Sequence, residues 1–241
     1  MHIETAVEIS GAIKGWLTPS EMRALYTLAF DTSATSAIVE LGAWQGKSTI
    51  MLAAGSSAGQ NAPVFSVDYF NTIPNTGYAY GAHLSASQDY LENYRQNVEQ
   101  VRFSAKITPV RSNTEVAGKT WEGLPVGLLF IDADHRYESV RCDFLAWAPR
   151  CVEGAWVAFH DYGQPEHSGV GKFVDQLLAA KIVTNACRAD SLLYANMAVR
   201  DPLLTRRLLG RYPCWYCWLQ NRLKSKCEQT TRLWRRIKAG K

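Results

Sequence analysis

Short apolar runs alternate with amphipathic segments through most of the chain. Each run is bounded by glycine, proline or polar residues, which is typical of strands buried in a parallel sheet. The segments between the runs carry apolar residues three and four positions apart, as on one face of a helix. The predicted strands are 37–41, 63–68, 106–111, 126–132 and 155–160, and a helix is predicted after each of them.

The last part of the pattern has a different connection. Two further apolar runs, 182–187 and 192–199, are separated only by Arg188-Ala-Asp-Ser. A connection this short joins antiparallel neighbours, whereas strands that are joined through helices lie parallel. We therefore predict an α/β fold with a doubly wound, Rossmann-like, mostly parallel seven-stranded sheet and an antiparallel terminal strand.

Helix signals and charge divide the chain into three regions. Before the first strand, residues 3–15 predict one helix, and Thr18 with Glu21 forms a capping box that begins a second. Eleven of the 26 Lys and Arg residues, but only one of the 22 Asp and Glu residues, lie after residue 201. We therefore expect an N-terminal helical extension at 1–35, a sheet domain at 36–200 and a basic, aromatic tail at 201–241.

The tail has three interpretations. Its aromatic and aliphatic residues fall at roughly helical spacing among Arg and Lys, which suits a helix lying on an anionic membrane. The same pattern suits a helix that docks on the body or on a second copy in a homodimer. A nucleic-acid arm is the least favoured of the three, so nucleic acid is not an expected partner. Cys214 and Cys217 lack the second CxxC pair that a zinc site would need.

The chain carries no pattern typical of export or membrane insertion. Its first eight residues hold two acids and no basic region, unlike a secretory signal. No apolar run reaches the roughly 18 residues of a membrane-spanning helix. We therefore expect a cytoplasmic protein, peripheral on the inner face of the membrane in the interpretation where the tail binds lipid.

A glycine-marked turn follows the first strand. Gly42 and Gly46 bracket it, Glu40 precedes it and Ser48 opens the next helix. Turns of this kind, at the carboxyl edge of a sheet, hold nucleotide-like ligands. A phosphate-binding P-loop would need four residues between the glycines, and only three are present. Asp68, at the end of the second strand, is placed to accept both hydroxyls of a ribose.

This combination resembles motifs I and II of the S-adenosylmethionine-dependent methyltransferases, and the predicted sheet is the layout of their class I fold. The resemblance implies that the glycine turn lies at the methionine end of the cofactor and that Arg111-Ser-Asn-Thr is the loop on the adenine side. Asp132 would meet the cofactor's amino group. The implied cofactor residues are Glu40, Gly42, Ala43, Gly46, Ser48, Asp68, Asn113, Thr114 and Asp132.

The second half of the chain narrows the resemblance. Phe130-Ile-Asp-Ala-Asp-His-Arg-Tyr and Phe159-His-Asp-Tyr are similar to motifs of small-molecule O-methyltransferases. That family includes macrolide-sugar (macrocin-type) and aminocoumarin-sugar O-methyltransferases and cephalosporin hydroxylase-like proteins, and the similarity covers about 16–185. In relatives, acids at the positions of Asp132, His160 and Asp161 hold a divalent cation. Here the middle position is an imidazole, which favours a transition ion over Mg²⁺.

Methyl transfer to a hydroxyl requires alignment with the methyl group and removal of a proton. Asp134, His135 and His160 are candidates for the base, with His135 preferred. Loop residues Tyr78, Tyr80, His83 and Tyr162 suit a sugar or aromatic acceptor. We therefore expect a metal-assisted O-methyltransferase acting on a small molecule or saccharide. The alternatives are an RNA methyltransferase that uses the tail and a non-catalytic relative that binds another ligand.

Overall fold

The computed structural model describes residues 1–71, 89–99, 101–103 and 105–211. Tyr78, Tyr80 and His83 of the predicted acceptor loop lie outside these ranges, as does the tail beyond Arg211 with Cys214 and Cys217. The helices are α1 (Ile3–Ala12), α2 (Pro19–Phe30), α3 (Lys47–Ala58), α4 (Leu91–Glu99), α5 (Thr114–Lys119), α6 (Tyr137–Trp147), α7 (Ser168–Ala179) and α8 (Pro202–Arg211). The strands are β1 (Ala37–Leu41), β2 (Val64–Asp68), β3 (Ile107–Arg111), β4 (Val126–Ile131), β5 (Cys151–Phe159), β6 (Val183–Ala189) and β7 (Leu192–Met197).

The seven strands form one sheet in the order β3-β2-β1-β4-β5-β7-β6. Strands β1 to β5 are parallel, whereas β7 lies antiparallel between β5 and β6. The predicted doubly wound sheet with its antiparallel terminal strand is therefore confirmed. Because the strand order reverses between β1 and β4, the carboxyl ends of these two strands border the crevice where such sheets bind ligands.

Both faces of the sheet are covered, as the apolar runs predicted. In β4, Leu129 packs into the core on the side of α6 and α7, while Leu128 and Phe130 pack into the core that includes α2 and α3. All three side chains are fully buried. Alternation along a strand sends neighbouring side chains to opposite faces, so a strand between two helix layers must be apolar throughout.

The predicted capping box begins α2. The Thr18 hydroxyl accepts the Glu21 N–H, and the Glu21 carboxylate accepts the Thr18 N–H. Helix α2 then crosses α3 so closely that a Cβ added to Gly55 would lie 2.1 Å from the Tyr26 carbonyl oxygen. No helix among the described residues is long and apolar enough to cross a lipid bilayer.

A buried carboxylate lies beneath the turn between β1 and α3. Glu40 is inaccessible to solvent and accepts hydrogen bonds from the hydroxyls of Ser48, Thr49 and Ser66. Burial raises the pKa of Glu40, the three hydroxyls offset part of that effect, and the result is about 7. Glu40 thus joins the start of α3 to the middle of the sheet and holds the turn above it in place.

Gly55→Ala is expected to lower the free energy of unfolding by roughly 1–3 kcal/mol, because the backbone of α2 must move away from the new methyl group. Gly11→Ala is the matched control, since a Cβ at this α1 position meets nothing within 4 Å. The control should raise stability by roughly 0.5–1 kcal/mol through helix propensity. Urea denaturation measures both, and equal effects would contradict the close crossing of α2 and α3.

Glu40→Gln is expected to change how stability depends on pH. The folded-state pKa of about 7 lies above the ordinary value of 4.5, so the stability that Glu40 itself contributes is fully present below the lower value and is lost as pH rises through the higher one. The glutamine of the variant does not titrate. Between about pH 5 and about pH 8, the stability of the variant relative to wild type should therefore rise by roughly 2–3 kcal/mol. Parallel pH profiles of the two proteins in urea would contradict a buried, titrating Glu40.

Candidate active site

A cavity of about 1400 Å³ opens at the carboxyl edge of the sheet. The turn after β1 forms one wall, the loops after β4 and β5 form the opposite wall, and the segment between α1 and α2 borders the mouth. Of the predicted site residues, Gly42, Ala43, Ser48, Asp68, Asn113, Thr114, Asp132, Asp134, His135, His160 and Asp161 line this cavity. The structure thus brings together most of the residues that sequence reasoning selected.

The turn after β1 depends on two left-handed glycines. Gly42 has φ 85°, and a Cβ there would lie 2.3 Å from the Asp132 carbonyl oxygen, so the turn packs directly on the end of β4. Gly46 has φ 88° and stands at the N-terminus of α3, where a Cβ would approach Val98 and Tyr94. Gly46 therefore shapes the turn from the side that faces away from the cavity.

Asp68 supports the same turn from β2. One of its carboxylate oxygens accepts the N–H groups of Ala43 and Trp44, both at 2.9 Å, and the other accepts the N–H of Phe70 at 2.8 Å. Each oxygen can accept further hydrogen bonds. Asp68 is only partly buried and lines the cavity, so it can hold the turn and still face a ligand.

Glu40 and Ser48 support the turn after β1 from beneath it. Glu40 is absent from the cavity wall, and Ser48 directs its hydroxyl toward Glu40. Glu40 therefore supports the turn from below, and its contact with a cofactor, which the motif resemblance implied, stays a prediction. Its three hydroxyl partners satisfy the carboxylate.

The loop after β3 presents an amide and a hydroxyl. Asn113 caps α5 by accepting the Val116 N–H, and its own side-chain amide donates to the Tyr69 hydroxyl at 2.7 Å. The Thr114 hydroxyl donates to Asp143 at 2.5 Å. The Asn113 side chain thus has its position set by the helix that it caps.

The carboxyl ends of β4 and β5 bring together two carboxylates and two imidazoles. Nδ1 of His160 lies 3.0 Å from Asp132 Oδ1 and 3.3 Å from Asp161 Oδ2. Nε2 of His135 lies 3.0 Å from Asp161 Oδ2 and 3.6 Å from Asp132 Oδ1. Asp132, His135, His160 and Asp161 therefore meet at this edge of the sheet, as expected of side chains at the carboxyl ends of neighbouring parallel strands.

Charge controls the protonation of this cluster. Burial alone would lower the pKa of His135, but Asp132 and Asp161 outweigh burial and raise it to about 9. Burial likewise opposes protonation of His160, whose pKa is nevertheless raised by Asp132, Asp161 and Glu21. The pKa values of Asp132 and Asp161 are lowered in turn, because the imidazoles outweigh the cost of burial. Without an ion, the cluster thus consists of imidazolium groups paired with carboxylates.

Glu21 is a site residue that sequence reasoning missed. Its carboxylate is fully buried, accepts the N–H and the hydroxyl of Ser191, and lies 3.4 Å from Nε2 of His160. Burial raises its pKa, but His160, Ser191 and Thr18 outweigh burial and lower it to about 2. The capping box explained Glu21 fully at the sequence level, and no local signal indicated that the same carboxylate would reach the end of β5.

Asp134 lies apart from the cluster, although it lines the cavity. Its carboxylate accepts the backbone N–H and guanidinium of Arg136 and the hydroxyl of Ser139. These contacts direct the Asp134 carboxylate toward Arg136 and Ser139, and its role as the base stays a prediction.

The donor atoms at Asp132, His160 and Asp161 fit a divalent ion. One donor atom of each residue lies within 4.8 Å of the others. Neighbouring ligand atoms of an octahedral ion with bonds of about 2.1 Å would lie about 3.0 Å apart. The observed contacts from His160 are 3.0 and 3.3 Å. A carboxylate on the other imidazole nitrogen is the usual support of a metal-binding histidine, and Glu21 occupies that position.

The methyltransferase domain family matches residues 39–162, from β1 to the loop after β5. The protein y4gI of Sinorhizobium fredii is 32% identical over 146 residues, which are 60% of this chain and 15% of that protein. The chain thus spans only a small part of this relative's length.

Solved structures of O-methyltransferases share the architecture. NovP superposes with a TM-score of 0.61 at 16% identity, over 75% of this chain and 81% of NovP. CalS11, a calicheamicin methyltransferase, superposes with a TM-score of 0.56 at 14% identity, over 80% of this chain and 90% of CalS11. The O-methyltransferase of Bacillus cereus in complex with SAH superposes with a TM-score of 0.54 at 16% identity, over 81% of this chain and 90% of that enzyme. At these identities the structural similarity shows the fold alone, which is the class I methyltransferase fold. The family match over residues 39–162 shows that the chain belongs to the methyltransferase domain family.

Proposed function

We propose that the protein is an S-adenosylmethionine-dependent O-methyltransferase that acts on a hydroxyl group of a small molecule or saccharide. The observation that carries this proposal is the pairing of two sites in one cavity. The glycine turn with Asp68 forms one wall, and the imidazole–carboxylate cluster of β4 and β5 forms the other. Methyl transfer needs this arrangement, since donor and acceptor must meet in line.

The cofactor would lie across the carboxyl ends of β1 and β2. Asp68 would accept the ribose hydroxyls, and the turn at Gly42 and Ala43, which lines the cavity, would border the methionine portion. Asn113 would border the adenine. The B. cereus O-methyltransferase structure contains SAH, which supports this class of cofactor for the shared fold.

The acceptor would lie at the imidazole–carboxylate cluster. A divalent ion held by Asp132, His160 and Asp161 would orient the acceptor hydroxyl and lower its pKa. With that ion bound, His135 would be neutral, because the charge of the ion offsets the carboxylates of Asp132 and Asp161 that otherwise keep it protonated. Its Nε2 would then accept the hydroxyl proton as a bond forms between the hydroxyl oxygen and the methyl carbon and the sulfur–methyl bond breaks. Asp161, 3.0 Å from Nε2, would stabilise the imidazolium that results.

Aromatic side chains border the mouth of the cavity. Trp16 stacks on Trp44 with ring centroids 4.9 Å apart, and Tyr90 meets Trp44 edge-on at 6.5 Å. Flat apolar surfaces of this kind suit the face of a sugar or an aromatic ring. CalS11 is described as a TDP-rhamnose 3'-O-methyltransferase, which agrees with a saccharide acceptor.

Membrane contact through 201–241 and a homodimer stay predictions.

Asp68→Asn is expected to weaken binding of S-adenosylhomocysteine by about 10–100-fold, because loss of a charged acceptor costs roughly 1.5–3 kcal/mol. Asp31→Asn, an exposed change at the end of α2, is the control and should bind as wild type does. Calorimetry measures the affinities, and a melting curve checks that the variants fold. Absence of binding by the wild-type chain would refute the proposed cofactor, whereas equal affinities would refute only the role of Asp68.

Asp161→Asn is expected to reduce Mn²⁺ affinity by at least about 100-fold, since it removes a charged ligand. The affinity for S-adenosylhomocysteine should stay within about twofold of wild type. Asp161 has φ 60°, and asparagine tolerates this left-handed conformation, so the backbone can persist. Electron paramagnetic resonance of free Mn²⁺ provides the measurement. Unchanged Mn²⁺ affinity would contradict the ion site and leave the cofactor proposal standing.

A further inference from the structure

A further titratable side chain, His167, lies beside the cluster at β4 and β5. It closes a 3₁₀ turn, Pro165–His167, in the loop between β5 and α7. Its ring centroid lies 4.2 Å from that of His135, and its Nε2 lies 3.9 Å from Asp161 Oδ2. His167 has no role in the methyl transfer described above.

His135 is the unusual member of the cluster. It is only 7% exposed, and neither ring nitrogen makes a hydrogen bond within the part of the chain that the structure describes. Nε2 lies 3.0 Å from Asp161 Oδ2, but the contact lacks the alignment of a hydrogen bond. Buried imidazole nitrogens are usually hydrogen-bonded, whereas Nε2 here has only its ion pairs with Asp161 and Asp132, which an ion bound to this nitrogen would replace.

His135, Asp161 and His167 present three donor atoms to one point. One nitrogen of each imidazole and one oxygen of the carboxylate all lie within 4.8 Å of one another. This set shares only Asp161 with the set formed by Asp132, His160 and Asp161. All five residues line the same cavity, so both sets are open to a ligand from that side.

We propose that His135, Asp161 and His167 form a second metal site, specific for transition ions, which shares the Asp161 carboxylate with the first. Two imidazoles and one carboxylate suit Zn²⁺, Co²⁺, Ni²⁺ or Fe²⁺, whereas Mg²⁺ prefers oxygen ligands. Metal pairs that share a carboxylate lie about 3.5–4 Å apart in other enzymes, which the bridging position of Asp161 permits.

Occupancy of the second site has a consequence for catalysis, and this part rests on the proposed function. An ion bound to Nε2 of His135 occupies the lone pair that would otherwise accept the acceptor's proton. An ion in the second site would therefore block the base, while the first site would retain Asp132, His160 and the shared Asp161.

The test uses Co²⁺ alone with the full chain, because its visible absorption reports imidazole ligands and dialysis gives the number of ions bound. His167→Ala should bind about one ion per chain fewer than wild type at the same free Co²⁺. It should lose a corresponding part of the visible absorption. His2→Asn is the matched control, since His2 is an exposed cap of α1 and asparagine can replace its hydrogen bond. It should bind as many ions as wild type.

Equal numbers of ions on wild type and His167→Ala would overturn the second site, as would an equal loss in the control. Asp161→Asn distinguishes the two sites, because it should lose the ions of both. If wild type binds a single ion and His167→Ala retains it, the second site is refuted and the first site stands. Calorimetry with S-adenosylhomocysteine on the same samples tests the proposed function separately, because its outcome does not depend on His167.

Discussion

The buried carboxylate of Glu21 is the constraint on which the arrangement of the site depends. A charge without access to water is stable only when other groups compensate it. Thr18, Ser191 and His160 do so, and they come from the start of α2, the turn between β6 and β7, and the end of β5. Three distant parts of the chain thus meet around one group, and the orientation of His160 follows from that meeting.

A second constraint is the close contact between the two walls of the cavity. Gly42 touches the backbone at Asp132 so tightly that no side chain fits between them. Asp161 takes a left-handed conformation on the opposite wall, which is uncommon for residues other than glycine. Such backbone strain persists when the surrounding structure determines it, and here it holds a carboxylate beside three imidazoles.

Much of this protein follows from local pattern. The apolar runs indicated seven strands, the four-residue connection after the sixth indicated the antiparallel end, and Thr18 with Glu21 marked the start of α2. The observed bounds of some elements differ from the predicted ones by a few residues. Strand β5, predicted to begin at residue 155, begins at Cys151, because Cys151 pairs with Val126 of β4. The sequence could also place Asp132, His135, His160 and Asp161 near one another, because carboxyl ends of neighbouring parallel strands meet at one edge of a sheet.

The roles of individual side chains were decided by tertiary structure. The sequence could place Glu40, Asp134 and Glu21 on their elements, but not state which groups would compensate their charges. Folding buried Glu40 under three hydroxyls, paired Asp134 with Arg136 and placed Glu21 behind His160. By itself, the sequence thus determined the sheet, its order of elements and the edge that bears the site, because periodicity and connection length act locally. Which carboxylates face the cavity was decided only when distant segments packed together, because the stability of a charge depends on neighbours that are remote in sequence.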